Sequence, residues 1–197
     1  SCYNARTWQY LESLGQEKKM SADRAFFWSR KIVEMTAEEY PDFTVDCIPG
    51  FLASMDSNEK KLTVYEKLYE VLEKERVDLA CEVKIWEADA WMAEGKVARA
   101  IYAYVYPLAN FAEDEHVLEK AKSGLAAIGE DVENEKDLLK AYWRIVKVGK
   151  KEDDARTSQR ILNLAYGSLA KIYRRRGEDK KAGELESRIQ EVESRGR

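Results

Sequence analysis

Residues 76–110 read RVDLACEVKIWEADAWMAEGKVARAIYAYVYPLAN, and this stretch decides the fold. Apolar residues recur at helical spacing on both sides of Gly95 and predict two helices, over 76–93 and 96–110. The first helix has two apolar stripes, one of Leu79, Val83, Trp86 and Ala90 and one of Cys81, Ile85, Ala88 and Met92. Since a helix that is apolar on two flanks needs a neighbour on each, the pattern predicts a helix inside a stack.

Helical spacing continues along most of the 197-residue chain. Only 10 Gly and 3 Pro interrupt it, and the abundant Ala, Leu, Glu, Lys and Arg favour helix. We find no convincing strand alternation. The sequence therefore predicts an all-α fold of about ten helices, at 3–14, 21–39, 48–56, 59–73, 76–93, 96–110, 114–128, 134–148, 154–176 and 179–194.

Glycine and proline divide these helices. Gly alone adopts the left-handed helix cap at little cost, so we expect helices to stop at Gly15, Gly95, Gly129, Gly149 and Gly177. Residues 41–50 lie between two prolines, Pro41 and Pro49, and form the least helical stretch. We expect one helical-repeat domain over 1–197, with 41–50 as the candidate for an internal joint.

One spacing of small and aromatic residues occurs twice. Steps of three, four and five residues separate the members of each set, Ala88, Trp91, Gly95, Ala100 and Ala170, Tyr173, Gly177, Ala182. The small residue lets a partner helix approach, the aromatic fills the wedge, and Gly makes the turn. This order resembles the tetratricopeptide (TPR) repeat, and Tyr104 and Pro107 also fit it. Gly95 and Gly129 are 34 residues apart, which is the TPR period.

The resemblance covers about residues 76–194 and implies stacked antiparallel helix pairs in a right-handed α-solenoid. It is degenerate, because Glu186 stands where an aromatic belongs and 48 residues separate Gly129 from Gly177. The last helix is apolar on one stripe only, as expected of a helix that closes a solenoid. An irregular helical bundle whose turns use Gly is the alternative.

In two places, adjacent aromatic residues leave open which side chains face the core. Phe26, Phe27 and Trp28 are consecutive, as are Tyr142 and Trp143. Consecutive positions of a helix point in different directions, so these side chains cannot all face the core. We expect core packing for most of them and exposure or packing on a neighbouring helix for the rest.

Catalytic and metal-binding motifs are missing from the sequence. The one histidine, His116, follows three acidic residues at the start of a helix, where a solvated position explains it better than a metal site. The sequence has no HExxH motif, no phosphate loop and no nucleophile elbow. The three cysteines, Cys2, Cys47 and Cys81, form no close pair. We therefore expect no enzymatic activity, no cofactor and no metal.

Charge and hydropathy narrow the class of partner. The net charge of −4 gives no general attraction to nucleic acid, and no apolar run is long enough to span a membrane. Unpaired cysteines and the lack of a visible secretory signal favour a soluble cytoplasmic protein. Ser1-Cys2 keeps a periplasmic or lipoprotein-anchored location open as the alternative.

The candidate binding residues are Lys171, Arg174 and Arg175. By the TPR resemblance, the first helix of each pair lines a concave groove, and these cations would hold a partner carboxylate or acidic segment. A solvated helix end, where cations suit the C-terminal dipole, is the alternative explanation. The sequence thus favours a scaffold that binds a protein or peptide segment. An enzyme or cofactor-binding bundle with an unrecognised site, and a structural or oligomerisation domain, remain as alternatives.

Overall fold

The computed structural model describes residues 20–110, 114–130 and 135–195. Over these residues the chain is helical and has no strand, which confirms the all-α prediction. The described helices are α1 (Ala22–Thr36), α2 (Pro41–Leu52), α3 (Asn58–Leu72), α4 (Val77–Ala93), α5 (Val97–Ala109), α6 (Glu115–Glu130), α7 (Glu135–Gly149), α8 (Ala155–Arg175) and α9 (Asp179–Arg195). The predicted helix at 3–14 and Gly15 lie outside the described residues.

The predicted start of a helix at residue 48 is wrong, because α2 begins at Pro41, whereas an internal joint at 41–50 stays a prediction. Proline is tolerated at the first position of a helix, where its missing N–H has no helical partner. Pro49 lies within α2 and removes one helical hydrogen bond. Burial of Ile48, Phe51 and Leu52 keeps the last turn helical in spite of that loss.

The chain divides into two compact units, Ser1–Glu94 and Gly95–Arg197. In the first unit, α1 packs against α2, α3 packs against α4, α1 also contacts α3, and α2 also contacts α4. Because short turns join the partners of each pair, the unit consists of two stacked antiparallel hairpins. The contacts of α4 with both α2 and α3 agree with its two buried flanks.

Arg76 lies just before α4 and ties it to α2. Its guanidinium donates two hydrogen bonds to the Asp42 carboxylate, at 2.6 and 2.7 Å, and further bonds to Asp78. These hydrogen bonds hold the pKa of Asp42 and of Asp78 below the usual range. The N-terminal ends of α2 and α4 are thereby held side by side.

In the second unit, α5 is the central helix. It packs against α6, α7 and α8, while α8 also packs against α7 and α9. Most of α5 is buried, including Ala100, Ile101 and Tyr104, as its apolar sequence on several sides predicts. The last helix buries Ala182 and Leu185 on one side and is otherwise largely exposed. A regular repeat array stays a prediction.

The aromatic residues of the recurring spacing are half-buried. The Trp91 indole nitrogen donates to Glu87 Oε1 at 3.1 Å, and the Tyr173 hydroxyl accepts from the Trp143 indole nitrogen at 3.3 Å. Gly95 and Gly177, which follow them, have φ of 68° and 73°, as the cap prediction requires. Glycine at position 149 serves packing instead, because a Cβ there would lie 2.9 Å from Ile161 Cγ2.

A close approach of α5 and α6 depends on Gly124. A Cβ at this position would clash with the Tyr104 ring, with ring carbons Cε1 and Cε2 at 2.7 Å and Cζ closer still. Tyr104 is 5% exposed and has little room to move. Gly124 therefore supplies the small residue that a tight helix crossing needs, at a position that the repeat spacing did not identify.

Replacing Gly124 with alanine is expected to destabilise the protein by about 1–2 kcal/mol. Overpacking a filled core costs about 1–3 kcal/mol, and the better helix propensity of Ala returns up to about 1 kcal/mol. Urea denaturation followed by circular dichroism measures the difference. Gly183→Ala is the matched control, because a Cβ at that helical glycine meets no atom within 4 Å. Stabilisation by both changes would contradict the close approach.

Candidate functional site

The predicted binding residues Lys171, Arg174 and Arg175 lie on α8, and all three are exposed. Their spacing of three and four residues places them on one face of the helix. Arg174 Nη2 pairs with Glu186 Oε2 of α9 at 2.8 Å, and Arg175 Nη1 donates to the Gly129 carbonyl of α6 at 2.6 Å. Both arginines thus already join α8 to another helix of the unit.

The neighbouring Arg176 has a similar role. Its Nε lies 3.5 Å from Glu135 Oε1 at the start of α7 and 3.0 Å from Glu178 Oε1. The end of α8 is therefore a junction whose cations contact α6, α7 and α9. Lys171 alone among the three predicted residues has no hydrogen bond or ion pair to the described part of the chain.

A second set of cations lies along α7. The side of α7 that the other described helices leave uncovered forms a shallow groove of about 620 Å³, which we call the α7 groove. It is lined by Lys136, Leu139, Lys140, Trp143, Arg144 and Lys147. These positions follow helical spacing, because α7 turns its other sides towards α5 and α8. Four cations thus surround two half-buried apolar side chains on one helix.

Trp143 is held in place at the centre of the α7 groove. Its indole nitrogen donates to the Tyr173 hydroxyl of α8 at 3.3 Å. The adjacent Tyr142 is 2% exposed and faces the core. Tyr142 therefore faces the core, whereas Trp143 lies on the side of α7 that forms the groove. Adjacent positions of a helix point in different directions, as expected from the sequence.

The cations of the α7 groove make few and weak contacts with other residues of the unit. Lys140 Nζ lies 3.4 Å from Asp137 Oδ1, and both side chains are exposed. The Arg144 guanidinium lies 5.9 Å from the centre of the Tyr102 ring. Lys136 and Lys147 have no hydrogen bond or ion pair to the residues that the structure describes. Exposed pairs of this kind contribute little, so the groove keeps its positive charge available.

A smaller cavity lies on the other side of Trp143. This α8–α9 cleft, of about 230 Å³, is lined by Trp143, Tyr173, Lys181, Glu184, Leu185 and Arg188. Two aromatic rings and a leucine line it together with three charged side chains, Lys181, Glu184 and Arg188, which we call its rim. The Lys181 ammonium lies 5.2 Å from the centre of the Tyr173 ring and 2.5 Å from Glu178 Oε2.

The first unit offers two other surfaces. A cleft of about 890 Å³ at the ends of α1 and α3 is lined by four glutamates, four apolar residues, Lys74 and Arg76. Arg76 is already engaged with Asp42 and Asp78. Phe27 of α1 is 54% exposed and packs edge-on to Trp28, with ring centres 5.5 Å apart. Neither surface has the row of four cations that lines the α7 groove.

Groups suited to catalysis are dispersed in the described part of the chain. No three His, Cys, Asp or Glu side chains there are grouped closely enough to hold a metal ion. His116 is exposed at the start of α6, and its backbone N–H donates to Asp114 Oδ1 at 2.8 Å. Burial raises the pKa of the Cys81 thiol to about 12, so this group stays protonated at neutral pH.

Within the described residues, no helix has the length and apolar character that crossing a bilayer requires.

The sequence contains a signal for the α7 groove that the repeat spacing obscured. Lys136, Lys140, Arg144 and Lys147 recur every three or four residues, with Trp143 among them. A basic amphipathic helix is a recognised pattern for binding either a membrane surface or a partner protein. Only the packing of α7 shows that the other described helices leave this face uncovered.

No protein-family model, curated protein or solved structure matches this chain.

Proposed function

We propose that this chain is a protein-interaction module whose α7 groove binds an acidic segment of a partner protein. The observation that carries the proposal is the row of Lys136, Lys140, Arg144 and Lys147 around Leu139 and Trp143 in one groove. Charge complementarity of this kind steers a partner and selects its register. An aromatic side chain held among the cations supplies the contact area that such interfaces concentrate in a few residues.

The length of the cationic row suits a short segment. Residues 136 to 147 span roughly 16 Å along the helix, at 1.5 Å per residue. An amphipathic helix of three turns, with carboxylates on one face, covers that distance. Recognition of a helix by a helical groove uses such spacing, and peptide binding is also what the resemblance to TPR proteins implies.

A protein segment fits the groove better than a membrane surface does. Peripheral membrane helices insert their apolar side chains into the lipid boundary. Trp143 is instead half-buried and hydrogen-bonded to Tyr173, and Leu139 is half-buried too. A fixed apolar surface among cations favours partner side chains that pack against it.

Reversing two charges in the α7 groove tests the proposal. Lys140→Glu with Lys147→Glu is expected to weaken binding of a fluorescein-labelled Glu/Ala-rich peptide at least about tenfold at low salt, because like charges would then face each other. Fluorescence anisotropy measures the affinity. Added salt is expected to weaken binding to the unmodified protein, since exposed charges are screened.

The control is a second double variant with the same net charge as Lys140→Glu with Lys147→Glu. Lys120→Glu with Lys180→Glu reverses two exposed lysines of the same unit outside the groove and is expected to leave the affinity within about twofold, as distant charges are largely screened. Lys171→Glu tests the α8 face separately. Equal loss in both double variants, a loss confined to Lys171→Glu, or binding of anionic lipid vesicles but not the peptide would refute the proposal.

A further inference from the structure

The α8–α9 cleft lies beside the α7 groove, and Trp143 lines both. One face of a bound segment can therefore contact the cations of α7 while a side chain of the same segment reaches into the cleft. The cleft differs from the groove in its composition, because Trp143, Tyr173 and Leu185 line it in equal number with charged residues of α9. Its chemistry is that of a pocket for an apolar group with charge close by.

The volume of the cleft limits what it can hold. Pockets for small molecules and cofactors typically measure about 300–1,000 Å³, and this cleft measures about 230 Å³. It is therefore small for a cofactor and suited to one large side chain. Interfaces commonly place such an anchor in a pocket and surround it with weaker contacts.

The charged residues at the rim of the cleft indicate which kind of partner residue would lie next to the apolar anchor. Lys181 is held by Glu178 and lies near the Tyr173 ring, whereas Arg188 is exposed and has no hydrogen bond or ion pair to the described residues. Glu184 contributes one negative charge, so the rim carries one excess positive charge. A carboxylate next to the anchor on the partner would meet Arg188.

We propose that the partner segment carries one large apolar side chain that inserts into the α8–α9 cleft, between Trp143, Tyr173 and Leu185, while its acidic residues lie along the α7 groove. This inference rests on the proposed function, and it names the sequence class of the partner, an acidic segment with an apolar anchor. Purely acidic segments bind more weakly, because they leave the cleft empty.

Paired peptides test the anchor. The probes are fluorescein-labelled Glu/Ala-rich peptides with a single Leu, placed in turn at successive positions over one helical turn, and the same peptide with Ala throughout. The best Leu peptide is expected to bind the unmodified protein about tenfold more tightly than the Ala peptide, since burying a Leu side chain is strongly favourable.

Two protein variants locate the effect. Tyr173→Ala removes one wall of the cleft, and Glu184→Trp adds an indole at an exposed position on its rim, where folding is little affected. Each is expected to reduce the preference for Leu to less than about threefold, since the coupling between two groups is lost when either is removed. Phe27→Ala, which removes an exposed aromatic in the first unit, is expected to keep the full preference.

The outcomes separate this inference from the proposed function. Peptide binding that depends on Lys140 and Lys147 but is equal for Leu and Ala peptides overturns the anchor alone. A preference for Leu that survives both Tyr173→Ala and Glu184→Trp also overturns it, because the anchor then binds elsewhere. If no acidic peptide binds, both proposals fail.

Discussion

Replacing Phe51 with alanine is expected to lower the free energy of unfolding by about 3–5 kcal/mol. Phe51 is fully buried in α2, so the change loses the burial of a phenyl ring and leaves a cavity. The lost packing destabilises α2, which already lacks one backbone hydrogen bond at Pro49. Helical structure in its last turn therefore depends strongly on this packing.

Urea denaturation followed by circular dichroism measures the effect of Phe51→Ala. Phe27→Ala is the matched control, because the same atoms are removed from a side chain that is 54% exposed. That variant is expected to change the free energy of unfolding by no more than about 0.5 kcal/mol. Similar losses in the two variants would contradict the placement of α2 within the core.

Replacing Trp143 with alanine is expected to weaken binding of the acidic Leu peptide by about 30-fold or more. Truncation of a hot-spot residue, a class enriched in Trp, costs about 2 kcal/mol or more, which corresponds to roughly 30-fold in affinity. Trp143 lines both the α7 groove and the α8–α9 cleft, so its loss removes apolar contact on both sides.

Trp143→Phe separates packing from hydrogen bonding. It keeps an aromatic ring and removes the N–H that donates to Tyr173, so a loss of about tenfold or less is expected, in line with a single hydrogen bond. Circular dichroism confirms that both variants remain helical. If Trp143→Ala binds the peptide as tightly as the unmodified protein, the groove is not the binding surface.

The sequence predicted the helices well where apolar spacing was strong. Both flanks of α4 are buried, and α5 is buried on most sides, as the stripes of 76–110 indicate. Gly95 and Gly177 adopt the expected left-handed conformation. Local signals suffice here, because helical spacing and glycine caps act within a few residues.

The misses concern effects that act between distant segments. The prolines of 41–50 indicated a break, but burial of Phe51 and its neighbours maintains a helix. Gly149 and Gly124 were not recognised as packing residues, because their need for a small side chain comes from Ile161 and Tyr104 on other helices. Such requirements cannot be read from one segment alone.

The binding surface was harder to predict than the fold. Lys171, Arg174 and Arg175 share an exposed face, as their spacing predicts, and whether they bind a partner stays a prediction. What the sequence could not reveal is that Arg174 and Arg175 contact Glu186 and the Gly129 carbonyl. Those contacts form only once α6 and α9 are packed beside α8.

The most direct measurement of the central claim is an NMR titration of the ¹⁵N-labelled protein with the acidic Leu peptide. The indole N–H signal of Trp143, assigned by its loss in Trp143→Phe, is predicted to shift and saturate together with backbone signals of α7, while the indole signals of Trp28 and Trp86 stay in place. A saturable shift confined to residues around Lys171 on α8, or peptide binding that leaves the Trp143 signal unmoved, would contradict the α7 groove as the binding surface.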